Sequence, residues 1–517
     1  MEAYIELKKV LFIVSVIILN CKPNYCENNI LNKNAKIIII GSGPSGIAAA
    51  SKLFENEFHN VMILEAEDRI GGRVYTTKFG NYSIDLGGQW VHGTKGNIVF
   101  ELANPYGLVD VSDKEDSGLD IVGLDSSGNH IDPELANKLT DFYYEYVDSL
   151  DSRKDPASES IGQRAEKVYD EFFKNDSSAL NQKRKFLDHL ELSRNQEDSA
   201  FSWCDVSVPG LREYTNLEGD QWVNWKERGF STILDILMKR YPNREKEHPI
   251  FNNTLLNVEV LSIDYLQDVK GPSVLITTTK GQLYKADHVI VTVSLGVLKE
   301  KYMSLFIPPL PVYKVNTIKA SGFGAIAKIY FMYDEPFWTL KNNTRILHFS
   351  FLWNDAERKQ IEADPEKEWL LGMATVLTVE KKPNLLSLWV SGKYVKQMEE
   401  LPEEKVFNHS VENIQRFLGK KYNVTKPIAM LRSRWYNNPH FRGTYSYRSV
   451  EAHRQKVFPE MLERPLNEQT LKVLFAGEAT SSHRYGTVDG AIRSGWKAAD
   501  RLIDHYKKLS RTSAPVA

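Results

Sequence analysis

Gly41-Ser42-Gly43-Pro44-Ser45-Gly46 follows directly on Lys36-Ile37-Ile38-Ile39-Ile40 and precedes a stretch of helical period from Ile47 to Phe58. A short continuous apolar run before such a loop reads as a parallel strand buried on both faces. Val61-Met62-Ile63-Leu64 supplies a second strand and closes a βαβ unit with its glycines at the first turn. Each glycine has its own task. Gly41 permits the tight turn, Gly43 lets the backbone approach a pyrophosphate, and Gly46 allows helix and strand to pack closely. N–H groups at the helix start, with Ser45 among them, then face the phosphates. Glu65 stands 19 positions beyond Gly46, at the end of the second strand, where a carboxylate hydrogen-bonds ribose hydroxyls.

Outward from this unit the chain divides into pieces. Ala286–Val293 is a further buried strand, fed by an antiparallel hairpin from Val274–Thr279 and Leu283. Val473-Leu474-Phe475-Ala476 reads as a strand, followed by Gly477-Glu478-Ala479-Thr480 and a helix from about Gly490 to Tyr506. Residues 133–200 are charged and helical in period, whereas 317–430 mixes strands (Ala327–Tyr333, Leu385–Val390) with helices such as Glu403–Leu418. The expected fold class is α/β with two domains. A Rossmann-like nucleotide-binding domain is assembled from 35–115, 222–316 and 430–508, and an inserted sheet-and-helix substrate domain from 116–221 and 317–429.

A length of 517 residues agrees with two domains, since one hydrophobic core rarely serves a chain this long. The balance of 65 basic against 67 acidic residues implies no bulk affinity for nucleic acid. Locally, Glu101, Asp110, Asp113, Glu115, Asp116 and Asp120 face a single Lys114, which makes either a solvated loop or an acidic rim that attracts a cationic substrate. Lys8 and Lys9 precede the uncharged run Val10–Leu19, too short for the roughly 20 residues of a membrane span, so residues 1–26 read as a signal peptide. The following Asn20-Cys21-Lys22-Pro23 is a poor cleavage site, which leaves a signal anchor, and with it a membrane, as the alternative. Six Asn-x-Ser/Thr sequons, at Asn81, Asn175, Asn252, Asn342, Asn408 and Asn423, fit a secreted or extracellular protein. Cys21, Cys26 and Cys204 give neither a disulfide framework nor a metal-binding spacing. Oligomeric state is not readable.

Beyond Glu65, the run Glu65-Ala66-Glu67-Asp68-Arg69-Ile70-Gly71-Gly72-Arg73 separates FAD from NAD: its small residues permit backbone contact with a long cofactor and Arg73 can neutralise a phosphate. Here the chain resembles the flavin-dependent amine oxidases, and the likeness runs through nearly everything after residue 35. Asp85-Leu86-Gly87-Gly88-Gln89-Trp90-Val91-His92-Gly93 resembles their flavin-ring segment, with Gly88, Gln89 and Trp90 at the cofactor. Ala286–Leu298 resembles their central strand and following turn, and Leu474–Gly495 their C-terminal flavin motif. The resemblance implies that Gly477 and Glu478 meet the diphosphate–ribitol region, that Val260 meets the adenine through its backbone, and that Thr480, Thr487 and Val488 lie near the flavin. Relatives often attach FAD through a late cysteine. This chain has none after position 204, so FAD is expected to be non-covalent.

Chemistry of this kind needs a deprotonated amine, correct placement and O2. Lys328 lies in the apolar strand Gly324–Phe331, where a charge needs a partner, although a lysine at a strand edge can also snorkel to water. The resemblance implies a lysine that hydrogen-bonds a water beside the flavin and makes Lys328, with His92, the catalytic pair. Trp90-Val91-His92-Gly93 is most similar to the spermine and acetylpolyamine oxidases of animals, which implies that His92 lines the substrate tunnel. Trp435, Tyr445 and Tyr447 fall where the family places aromatic residues about its flavin. Thr487 replaces the ring that monoamine oxidases carry at that point, which favours a long flexible amine. Glu191 and Ser193 resemble a tunnel-lining Glu-x-Ser pair. The implied reaction is oxidation of a secondary amine of spermine or a related polyamine with O2, giving an aminoaldehyde, a shorter amine and hydrogen peroxide. An L-amino-acid oxidase on the same fold, which needs an arginine for the carboxylate, and a catalytically silent secreted protein are the alternatives.

Overall fold

The computed structural model describes residues 33–512, apart from 113–119, 152–155, 157, 267–272 and 339–345. The signal segment, Cys21, Cys26, Asn342 and, within the acidic stretch, Asp113, Glu115 and Asp116 lie outside the described residues. A five-stranded parallel sheet forms the base. Its strands are β1 (Ile37–Ile40), β2 (Val61–Leu64), β3 (Thr254–Leu255), β4 (His288–Val291) and β5 (Val473–Phe475), in the order β5-β4-β1-β2-β3. Ile37 pairs with Val61 on one side and His288 on the other. The sheet thus draws strands more than 200 residues apart against β1. Ile37, Ile38 and Ile39 are fully buried, each worth about 1.5–3 kcal/mol of burial.

Helix α1 (Pro44–Glu55) leaves the carboxyl end of β1. It starts three residues before the apolar period does, because Pro44 is accommodated at the first turn, where its missing N–H costs nothing. The chain leaves it through Asn56 and Glu57, the latter at positive φ, so Phe58 lies beyond the helix. The run Ala286–Val293 is likewise two elements. The hairpin strand Leu283–Ala286 ends, the Asp287 carboxylate takes the Lys36 N–H at 2.7 Å, and β4 starts at His288.

A second, six-stranded sheet has the order Ala429–Arg432, Ala327–Met332, Leu385–Val390, Thr375–Thr378, Ile346–Leu352 and Asp120–Asp125. Its pairs are antiparallel except the last. Because Ala429–Arg432 pairs with Ala327–Met332, the piece expected to begin at 430 starts inside a strand of this other sheet. Helices Pro133–Ser149, Ile161–Phe172 and α2 (Lys183–Asp198) pack beside it around Tyr146, Tyr169, Phe186 and Leu190. The last helix, α3 (Val488–Thr512), returns to α1 so closely that a Cβ on Gly495 would sit 2.1 Å from Ser45 O. Among the described residues no helix is long and apolar enough to cross a membrane, and no group of His, Cys, Asp and Glu could hold a metal ion.

Candidate functional site

One cavity of about 1660 Å³ runs from the β1–α1 turn to the six-stranded sheet. That exceeds an ordinary pocket of roughly 300–1,000 Å³, as a long cofactor plus a second molecule requires. At the β1–α1 turn the glycines divide by what surrounds them. A Cβ on Gly41 would meet Thr292 Oγ1 at 2.6 Å, and one on Gly46 would meet Gly41 O at 2.1 Å. These two are glycine because the protein itself presses on them. Gly43 has no atom within 4 Å of such a Cβ, yet it caps α1 with no side-chain acceptor for the helix N–H groups. Open space before free N–H groups is what a pyrophosphate would fill. Glu65, buried beside it, accepts the N–H and hydroxyl of Ser42, both at 2.7 Å, through one oxygen and the Glu67 N–H at 2.9 Å through the other. Val258, Glu259 and Val260 line the same end.

Arg73 lines the cavity, but its Nη1 is engaged by Glu478 at 2.9 Å and by Thr444 O at 2.5 Å. Glu478 in turn accepts from Ser446 Oγ at 2.6 Å and Gly486 N at 2.8 Å. The expected phosphate contact of Arg73 is thereby shared with an internal ion pair, and the N-terminus of α1 carries more of that role. Gly88, Gln89, Trp90, Trp435, Gly477, Thr487 and Val488 line the middle of the cavity. Trp435 is held edge-in by Nε1 donating to Leu86 O at 3.1 Å. The Thr487 hydroxyl is consumed in capping α3: it donates to Arg484 O at 2.7 Å and accepts Gly490 N at 3.0 Å. Its expected substrate contact therefore reduces to the shape of a small side chain. Cys204 is exposed, and among the described residues no cysteine lines the cavity. These residues fit FAD.

Lys328, on Ala327–Met332, does not snorkel. It is buried, and its Nζ donates to Gly87 O and Gln89 Oε1 at 2.8 Å and to Asp85 O at 3.2 Å. The ammonium lies 4.9 Å from the centre of the Trp389 ring and 6.0 Å from that of Trp90. Burial pushes Lys328 down to about 7 against the opposing pull of Asp85. Asp85 is raised by burial, while Thr76 Oγ1 and Phe230 N donate to its carboxylate. Lys328 can therefore exchange a proton near neutral pH. His92 is held through Nδ1 against Gln221 O at 2.6 Å, and burial lowers it, with the neighbouring Arg484 adding to the effect. The imidazole is neutral, with the proton on Nδ1 and Nε2 the acceptor.

Of the Glu-x-Ser pair, only Ser193 reaches the cavity. Two residues along a helix rotate by about 200°, which turns Glu191 to Ser202, whose hydroxyl it accepts at 3.2 Å. Arg194, Gln196, Glu197 and Asp198 of α2 line the cavity instead, and the Tyr445 hydroxyl, also expected there, donates to Gln196 O at 2.8 Å. Arg194 bridges Glu197 and Asp198, and burial raises Asp198 to about 6. The sequence held a signal for this end. α2 begins Lys183-Arg184-Lys185 and ends Glu197-Asp198, both against the helix dipole, an arrangement that stability alone does not favour. Asp110 of the expected acidic rim is paired with Lys381 at 2.6 Å and Lys226 at 3.1 Å, so its charge is met on the surface.

The profile of the family described as "Flavin containing amine oxidoreductase" matches residues 44–503. The "Peroxisomal N(1)-acetyl-spermine/spermidine oxidase" of Bos taurus is 29% identical over 512 residues, covering 93% of this chain and 97% of its own length. "Polyamine oxidase 1" of Oryza sativa subsp. japonica is 25% identical over 524 residues, covering 92% and 98%. The solved structure of putrescine oxidase, wild type bound to putrescine, superposes with a TM-score of 0.63 at 18% identity over 91% of this chain and 99% of that one, a likeness of fold.

Proposed function

The chain belongs to the flavin-containing amine oxidoreductases and is an FAD-dependent amine oxidase, and from that premise we propose that its substrate is a long polyamine of the spermine type. When bound, FAD would supply the acceptor for a hydride from the carbon next to the amine nitrogen, with O2 as final oxidant and hydrogen peroxide as its product. The residues of the chain supply what remains. Gly43 and Glu65 anchor the nucleotide, and Lys328 exchanges a proton beside Gly87 and Gln89. Neutral His92 accepts a hydrogen bond from an amine through Nε2. The product set is an aminoaldehyde, a shorter amine and peroxide.

One observation carries the polyamine reading: the cavity that Lys328 lines is also lined by the carboxylates Glu197 and Asp198. With Arg194 between them the three groups sum to a single negative charge, which suits one distant ammonium. An α-amino acid would need an available guanidinium for its carboxylate. Of the arginines on the cavity, Arg194 and Arg73 are ion-paired, Arg484 is engaged by Asp489 at 3.2 Å, Tyr214 at 3.1 Å and Thr215 O at 2.8 Å, and Arg212 donates through Nε to Leu150 O at 3.0 Å. A peroxide-coupled assay over spermine, spermidine, N1-acetylspermine, a monoamine and an L-amino acid tests this. Preference for the monoamine or the amino acid overturns it.

We propose further that the protein is secreted or extracellular. Asn81, Asn175, Asn252, Asn408 and Asn423 are exposed, as glycan acceptors must be. Enzymatic deglycosylation of the protein from its native source should lower its mass, and an unchanged mass removes this support.

A further inference from the structure

Trp222 is a large apolar side chain left 40% exposed, and it lines the cavity. Its ring stands edge-on to Trp90 at 5.1 Å and to His92 at 6.2 Å. Trp90 lies flat against Trp389 at 5.6 Å, and Trp389 is the ring nearest the Lys328 ammonium. Three indoles thus form one continuous wall from an exposed position to the reactive lysine.

The segment that carries Trp222 is held firmly. The Trp222 N–H donates to Asp220 Oδ1 at 2.7 Å, and the other Asp220 oxygen accepts Ser112 N at 2.8 Å. The Gln221 side chain donates to Leu217 O and Gly219 O, both at 2.7 Å, while its carbonyl accepts from His92. Gly93 N donates to Asp220 O and Thr94 N to Glu218 O, both at 2.9 Å. Two carboxylates are hydrogen-bonded to this segment or its strand. Asp220 belongs to its own segment, and Glu380 accepts from Asn224 at 2.7 Å and Ser112 at 2.8 Å. Glu218 is matched by Lys95.

An aromatic ring held in place at the exposed end of such a wall attracts an ammonium ion through its quadrupole, tryptophan most strongly. We propose that Trp222 is the outer cation-binding position of the cavity: it receives the ammonium group of the amine and passes it along Trp90 and Trp389 to Lys328. The inference rests on the amine-oxidase reading and adds a residue that discriminates by charge. Its strength should equal that of a cation–π contact, about 3- to 30-fold in affinity as desolvation increases.

The test compares Trp222→Phe and Trp222→Leu with the unaltered holoenzyme, at equal FAD content measured by flavin absorbance. With spermine as substrate, Trp222→Leu should raise KM by about 3- to 30-fold while kcat changes much less. Trp222→Phe, which keeps a π face, should recover most of that loss. Two results overturn the inference: a KM for Trp222→Leu equal to that of the unaltered enzyme, or equal losses in the Leu and Phe variants. If the unaltered enzyme oxidises no polyamine, the functional reading fails by itself. The same three proteins are then compared on whichever amine is oxidised, with the same two results overturning the role of Trp222.

Discussion

Replacing Lys328 by methionine should change how the stability of the protein depends on pH. The folded lysine titrates near about 7, against 10.5 for an ordinary lysine. Between those values the unfolded chain binds a proton that the folded chain does not, so the contribution of this group to stability rises with pH. The slope is about 1.4 kcal/mol per pH unit, or about 2 kcal/mol from pH 7.5 to 9. Below about 7 both states are protonated and the burial penalty is present in full. Lys328→Met removes this dependence but leaves Gly87 O without the lysine donor, while Gln89 Oε1 keeps Tyr330, a loss of about 1–3 kcal/mol that does not vary with pH. A chain of this length unfolds with an entropy of about 1 kcal/mol per kelvin near its Tm. The Tm of the unaltered protein should therefore gain about 2 °C on that of the variant between pH 7.5 and 9. Differential scanning of both proteins, FAD-loaded, in matched buffers measures this gap. A gap that stays constant across the interval refutes the depressed lysine and with it the role of Lys328 as a proton-exchanging group. The variant should also retain FAD while its anaerobic reduction by amine slows.

Gly43→Ala should leave the Tm of the apoprotein within about 1 °C, since nothing lies near the new methyl and the backbone is extended there, yet weaken FAD more than about tenfold in a fluorescence titration. Gly46→Ala should destabilise the fold itself, because the methyl would overlap Gly41 O. His92→Asn should raise KM without moving the acid limb of the kcat/KM profile above about pH 7, because burial lowers the imidazole below its ordinary value; a displaced limb would assign that limb to His92. Glu478→Gln leaves the largely buried Arg73 without its counter-charge, a loss of about 3–5 kcal/mol that should lower Tm by about 3–5 °C, and an unchanged Tm would show the pair to be dispensable.

The β1–α1 turn was legible residue by residue. Gly41, Gly43, Gly46 and Glu65 act through turn sterics and hydrogen bonds that span a few positions or one strand pair, and those requirements are written locally. The lysine in an apolar strand was equally visible, because a charge among isoleucines has to be answered somewhere. Element ends were less so: Pro44 admits the helix earlier than the apolar period suggests, and Asp287 breaks a run that reads as one strand.

The sequence by itself determined the cofactor-binding half, since a βαβ turn is specified by residues adjacent in the chain. The tertiary structure alone decided the substrate wall. Whether Glu191 or Glu197 meets the cavity depends on the rotation of α2, which is set by packing of Phe186, Leu187 and Leu190 among residues of other segments such as Tyr169, Trp203 and Leu352. Trp90, Trp222 and Trp389 are brought together from three distant segments by pairing of Trp90–Val91 with Val223–Trp225 and by the strand Leu385–Val390. Long-range register has no local signature, because side chains that share a cavity need share nothing in sequence.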